Sequence, residues 1–164
     1  MIEKQLLFVC LGNICRSPAA EAVMTDKIKT SGLDHLISCD SAGIIGFHSG
    51  APADARMQMH AIRRGYKLPS ISRQVKPKID FNRFDMVIGM DDQNIKDLKA
   101  LSRSEKDKKK IFLMTDFCLK MTFNHVPDPY YGDNEDFELV LDILQDACDG
   151  LLEYLKTQNR LGKK

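Results

Sequence analysis

Leu6-Leu7-Phe8-Val9-Cys10-Leu11-Gly12-Asn13-Ile14-Cys15-Arg16-Ser17-Pro18 decides how this chain folds. Leu6 to Val9 is an unbroken apolar run, which a strand covered on both faces requires. The run gives way to Gly12-Asn13, residue types that accept the positive φ of a tight loop. Ser17 before Pro18 predicts a helix start, with serine as N-cap and proline at the first helical position. From Pro18 to about Thr30, Ala20, Val23, Met24 and Ile28 return near helical spacing, and Gly32 closes the helix. A buried strand feeding a helix through a short loop is the opening unit of an α/β fold.

The rest of the chain repeats that alternation. A second strand is expected over Leu36–Ser41, followed by a Gly-rich loop from Gly43 to Pro52. Ala53–Arg64 reads as a helix stopped by Gly65. Asp85–Met90 forms a third buried strand, and Asp91 opens a helix carrying Ile95, Leu98 and Leu101. Arg103–Lys110, five basic residues against two acidic ones, reads as a solvated helix end. Ile111-Phe112-Leu113-Met114 is the fourth strand. The connection from Thr115 to Asn134 holds no clear element, and such a length in a compact chain points to function. Phe137, Val140, Leu141, Leu144, Cys148, Leu151, Leu152 and Leu155 then make the apolar stripe of a last helix.

This βαβαβαβα order predicts a three-layer α/β fold: a four-stranded parallel sheet, order 2-1-3-4, with helices on both faces. At 164 residues the chain is expected to be one domain, residues 1–164, with 157–164 as a frayed basic tail. The 24 basic and 23 acidic residues nearly cancel, which leaves no field for nucleic acid or a membrane surface. No apolar run reaches the length of a membrane span, and the N-terminus carries no small-residue cleavage site. Five irregularly spaced cysteines fit a reducing cytoplasm better than a disulfide framework. His35, His48, His60 and His125 show no ligand spacing, so no metal and no other cofactor is expected.

Open α/β sheets bind ligands at the carboxyl ends of strands where the strand order reverses, which here is the segment beginning at Cys10. Cys10-x5-Arg16-Ser17 can wrap a loop whose backbone N–H groups point inward, with the positive end of a helix added. Arg16 offers a fork for two oxygens of a tetrahedral oxyanion, so phosphate or a similar anion is the expected ligand. Cys10 lies at the centre of that field, which favours its nucleophilic thiolate. Ser17 can donate a hydrogen bond to the sulfur.

The run Val9 to Pro18 resembles the signature of the low-molecular-weight protein tyrosine phosphatases. Pro127-Asp128-Pro129-Tyr130-Tyr131-Gly132 resembles that family's general-acid loop, and Asp40-Ser41-Ala42-Gly43, Arg73-Gln74 and Met90-Asp91 match further short blocks. The resemblance spans nearly the whole chain. It implies a metal-free phosphotyrosine phosphatase working through a cysteinyl-phosphate, with Cys10, Arg16 and Asp128 as catalytic residues. Leu11, Gly12, Asn13, Ile14, Cys15 and Ser17 would bind the phosphoryl group, and Phe47, Tyr130 and Tyr131 would wall the slot for the phenol ring. Two departures stand out: Ser70 replaces a histidine common three residues before the Arg-Gln pair, and Phe47 replaces a frequent Tyr or Trp.

Asp128 has its own rationale. A phenolate leaving group, of pKa about 10, benefits from a proton donor, and flanking prolines fix this aspartate's backbone. An arsenate reductase on the same fold would need further thiols after the third strand, and residues 90–104 contain none. A phosphoarginine phosphatase is the nearer alternative, but Ile14 with Tyr130-Tyr131 favours an aryl phosphate. A binding module would gain nothing from a reactive cysteine with a positioned acid. The expected substrate is a phosphotyrosine protein or aryl phosphate, and the expected state a monomer. If the loop curls around one phosphate, Cys15 comes within disulfide range of Cys10 and could capture it when oxidised, a role the resemblance favours; the alternative is a buried filler pointing away from the phosphate.

Overall fold

A computed structural model describes residues 1–159. Four strands, β1 (Lys4–Cys10), β2 (Ile37–Gly43), β3 (Met86–Gly89) and β4 (Ile111–Leu113), form one parallel sheet in the order β2-β1-β3-β4. The central β1 shows why an unbroken apolar run was needed. Its side chains alternate between two apolar layers, Leu6 and Phe8 into one, Leu7 and Val9 into the other.

The larger layer is covered by α1 (Arg16–Thr30) and α6 (Asn134–Asn159), with α2 (Ala55–Ile62) beside α6. Val23 and Met24 of α1 meet Leu144, Cys148 and Leu151 in this layer. On the opposite face α3 (Pro77–Arg83) brings Phe81 and α4 (Asp92–Leu101) brings Leu98 to the second layer. A short α5 (Glu105–Lys108) leads into β4.

Several expectations are corrected. The helix α1 begins at Arg16 with Cys15 at its N-cap position, so Ser17 is not the cap and Pro18 is the third helical residue. The first-turn proline is still accommodated, because N–H groups there have no intrahelical acceptor. β2 runs two residues past Ser41, to Gly43, because β1 pairs with it as far as Cys10. The cap of α2 is Asp54, whose side chain accepts from the N–H of Arg56 (2.8 Å) and Met57 (3.4 Å). Met114 leaves the fourth strand and opens a 3₁₀ turn, Met114–Phe117, inside the connection expected to hold no element.

The helix α3 was not anticipated, so the order is not a plain βα alternation. Seven residues are too short for a periodic signal; what fixes α3 is Asp80, 2% exposed, which takes the N–H of Lys76 and the guanidinium of Arg73. The charge run does become a short helix, tied down by Arg103 on buried Asp107. Gly32 and Gly65 end their helices at φ 71° and 88°. The last helix continues through Asn159, so residues 157–159 of the expected tail are helical; residues 160–164 lie outside the described residues.

Phe81 is the one large apolar side chain that α3 commits to the second layer. Phe81→Ala should cost about 3–5 kcal/mol of stability, read as a lower denaturant midpoint with an unchanged slope.

Candidate active site

The carboxyl end of β1 delivers residues 10–16 into a loop, five of whose carbonyls accept hydrogen bonds from other segments or from the first turn of α1. Cys10 and Leu11 carbonyls accept from Ile44 and Ile45 (2.9 and 3.0 Å), Gly12 from the Ser72 hydroxyl (3.0 Å), Ile14 from the Asp54 N–H (2.8 Å) and Cys15 from Ala19 (3.3 Å). Among the described residues, none of the N–H groups of Leu11 to Cys15 donates to a protein acceptor. Arg16 and Ser17 open α1, so their N–H groups lack intrahelical partners as well. The arrangement is a nest of donors, an anion site built from backbone.

Asn13 sets the turn. It is the one non-glycine residue with positive φ (57°) among the described residues, and it is 2% exposed. Its Oδ1 accepts from the Arg73 N–H (3.0 Å) and its Nδ2 donates to Ser17 Oγ (2.8 Å). Ser17 Oγ in turn lies 3.0 Å from Cys10 Sγ. Because the serine oxygen already accepts from Asn13, its own proton is free to point at the sulfur or, at a longer 3.5 Å, at the Ala42 carbonyl. Gly12, expected at positive φ, does not adopt it; a Cβ there would come 3.0 Å from the His48 ring. Gly43, the last residue of β2, cannot carry one either, since the Leu11 carbonyl would lie at 2.9 Å.

Arg16 is 3% exposed. Its Nη1 donates to Asp91 Oδ2 (2.6 Å) and the Val126 carbonyl (3.1 Å), and its Nη2 makes only a long contact, 3.5 Å, to Asp128 Oδ2. The Nε–Nη2 edge therefore remains for a bidentate oxyanion. Burial works against the charge, but Cys10, Asp91 and Asp128 outweigh it and hold the guanidinium more firmly protonated. Cys15, also 3% exposed, is the opposite case. Burial, then Asp54, pushes its thiol well above the ordinary range, so it stays a neutral thiol.

Cys10, Leu11, Gly12, Ile14, Cys15, Arg16, Phe47, Asp128, Tyr130 and Tyr131 line one cleft of about 280 Å³. Asn13 and Ser17 do not line it; they brace the loop from behind. The cleft also takes in Ile45 and His48, which the sequence reading left out. Phe47 is 83% exposed, edge-on to His48 (centroids 4.9 Å), and Tyr131 is 97% exposed, edge-on to Tyr130 (4.9 Å). Asp128 Oδ1 accepts from the Tyr130 N–H (3.1 Å). The main omission is Asp91. Its Oδ1 caps α4 through Asn94 (2.7 Å), a role that accounted for the residue fully, while its Oδ2 fixes Arg16. Its place at the end of β3, next to β1 in the sheet, was the available signal.

Among the described residues no group of three or more His, Cys, Asp and Glu side chains is placed to hold a metal ion. No described helix is long and apolar enough to cross a membrane.

A donor nest enclosing a cysteine, with a buried arginine and an aspartate on one cleft, defines a cysteine-dependent phosphatase. The comparisons agree: residues 5–161 match the family described as low molecular weight phosphotyrosine protein phosphatase, and the chain belongs to that family. A Synechocystis chain named for the same group is 44% identical over 151 residues, 92% of this chain and 96% of its own. A protein tyrosine phosphatase from Entamoeba histolytica, solved with Hepes in its active site, superposes with a TM-score of 0.92 at 47% identity, covering 96% of this chain and 99% of that one. Drosophila arginine phosphatase shares the fold at a TM-score of 0.85 and 28% identity, covering 92% and 97%.

The bracing by Asn13 can be separated from its backbone role. Asn13→Gly removes only the two hydrogen bonds; Asn13→Ala also forces alanine into a conformation costing about 1–2 kcal/mol. Inhibition by inorganic phosphate should weaken in both, and by about 10-fold more in the alanine variant. Equal inhibition constants would remove Asn13 as the loop's brace.

Proposed function

We propose that this phosphatase hydrolyses phosphotyrosine and related aryl phosphates through a phosphocysteine formed on Cys10. The observation that carries the reading is the Asn13–Ser17–Cys10 chain of contacts, which aims a hydroxyl at the sulfur inside the donor nest. The phosphoryl oxygens take the N–H groups of residues 11–15 and the free edge of Arg16. The Cys10 thiolate attacks phosphorus, and the bond from phosphorus to the aryl oxygen breaks. Asp128, as the carboxylic acid, passes its proton to that oxygen. In the second step the Asp128 carboxylate takes a proton from water as the water attacks the phosphocysteine. The S–P bond breaks, giving inorganic phosphate and the thiolate again.

Substrate class follows from depth and shape. Cys10 is 3% exposed beneath a cleft with apolar Leu11 and Ile14, so the phosphate must arrive on a long side chain. Phe47 and Tyr131 stand exposed at the rim, where a flat phenol ring can lie between them. The same walls offer no carboxylate aimed at a guanidinium other than Asp128, which is why phosphoarginine is the weaker fit. Arsenate reduction is weaker still. It needs a relay of accessible thiols, while Cys148 is buried with its Sγ 3.9 Å from the Ala20 carbonyl.

The reading includes one phosphatase domain acting as a monomer in a reducing cytoplasm, in keeping with five free cysteines. Cys15 is the proposed resolving thiol for an oxidised Cys10, since both line the cleft. Its neutral state makes that capture slow.

Three measurements bear on this. Cys10→Ser should abolish turnover yet keep phosphate binding; appreciable activity would sink the nucleophile assignment. Asp128→Asn should slow phenyl phosphate by about 10²–10⁴-fold and an activated nitrophenyl ester much less, and an equal loss on both would reduce Asp128 to loop structure. A panel of phosphopeptides should favour phosphotyrosine; faster release of phosphate from phosphoarginine would move the enzyme to the other substrate class.

A further inference from the structure

The aspartate proposed as general acid sits in a loop that the sheet does not hold, and its orientation needs an explanation. Asp128 is 44% exposed at its side chain, and its one short contact is the Tyr130 N–H, 3.1 Å from Oδ1. Pro129, between the two, has no N–H to contribute. The main chain of Tyr130 therefore decides where the carboxyl points, and the carbonyl of the same residue, on the next peptide plane, accepts from Arg56 Nη2 at 3.0 Å.

We propose that Arg56 is a positioning residue for Asp128, the middle of a strut that registers the acid loop against the phosphate loop. The strut starts at the Ile14 carbonyl of the phosphate loop, which accepts the Asp54 N–H at 2.8 Å. The Asp54 carboxylate grips the guanidinium of Arg56 at two points, 3.2 Å to Nε and 2.9 Å to Nη2. Arg56 then reaches the Tyr130 carbonyl, and the Tyr130 N–H reaches Asp128. Two aromatic faces keep the guanidinium plane in place: its central carbon lies 4.8 Å from the ring centroid of Phe137, a residue 1% exposed, and 5.5 Å from that of Tyr130. A helix-capping pair such as Asp54 and Arg56 needs none of these outside contacts. Arg56 does not line the cleft, so it acts through Tyr130 and not on substrate.

This inference rests on Asp128 as the proton donor, and its signature is a dependence on the leaving group. Arg56→Ala should lower kcat for phenyl phosphate about 10-fold, part of what general acid catalysis supplies, and leave kcat for 2,4-dinitrophenyl phosphate within about twofold. Added to Asp128→Asn, it should cost nothing more on phenyl phosphate, because there is no proton left to aim. Inhibition by inorganic phosphate, read in the same preparations, should not change. Arg56→Lys keeps the charge but cannot hold Asp54 and the Tyr130 carbonyl in one planar fork, so it should show a smaller loss of the same selectivity. That second variant carries the test if the alanine protein does not fold. Equal losses on the two esters in the Arg56 variants, with Asp128→Asn still selective, overturn the strut alone. Equal losses in Asp128→Asn itself overturn the acid assignment, and the strut falls with it.

Discussion

A loop that turns its N–H groups toward one point forgoes the hydrogen bonds by which backbone usually holds itself, so its shape must be imposed from outside. That constraint organises the molecule. Residues 11–15 donate to no protein acceptor among the described residues, and each brace on their carbonyls comes from a different segment: the turn after β2, Ser72, Asp54 and the first turn of α1. Gly43 is bare because the loop backbone passes within 2.9 Å of where its Cβ would stand. Even α3, far from the chemistry in sequence, takes part. Its buried Asp80 grips Arg73, and the Arg73 N–H holds Asn13.

Charge is handled by the same economy of position. A guanidinium as buried as that of Arg16 needs a partner, since an uncompensated ion in a low-dielectric site costs several kcal/mol. Asp91 supplies the partner on one edge only, with the Val126 carbonyl beside it, and so neutralises Arg16 without occupying the edge that faces the nest. The two cysteines of the loop are separated by equally local means. Cys10 lies 3.0 Å from the Ser17 hydroxyl, whereas Cys15 lies among carboxylates and apolar neighbours that keep its proton on. The proposed nucleophile and a neutral thiol thus share one short loop.

What the sequence disclosed, and what it withheld, follow physical lines. β1, β3 and α6 were legible because burial on both faces, or along a continuous stripe, imposes a recognisable apolar composition. The site was legible because cysteine, arginine and serine at fixed spacing converge only on a loop. The start of α1 was misread by two residues: Ser17 has the chemistry of an N-cap, but its hydroxyl is spent on Cys10 and Asn13, and the helix begins uncapped at Arg16. The segment from Lys76 to Arg83 carried no helical signal because only Asp80 and Phe81 within it are buried. Asp91 was hidden by sufficiency, since one visible role left no reason to seek a second. His48 and Ile45 belong to the cleft through a turn whose path no periodicity encodes.

The two halves of the site are held with unequal firmness, and the chemistry explains why. The phosphate loop must present five or more donors to a tetrahedral anion whose geometry is fixed, so any slack is lost binding. In the proposed reaction Asp128 would have a less exacting task in geometry but two tasks in time, giving a proton to the leaving oxygen and later taking one from water on the same face. The acid loop is accordingly tethered at two points, by the Val126 N–H on the Met90 carbonyl and by Arg56 on the Tyr130 carbonyl, while the Gly132 N–H closes a turn on the Pro129 carbonyl and 44% of the Asp128 side chain is left in contact with solvent. In that proposed reaction the exposure would let the departing phenol be replaced by the water the second step consumes. A carboxyl sealed as tightly as Arg16 would aim its proton well and then keep that water out.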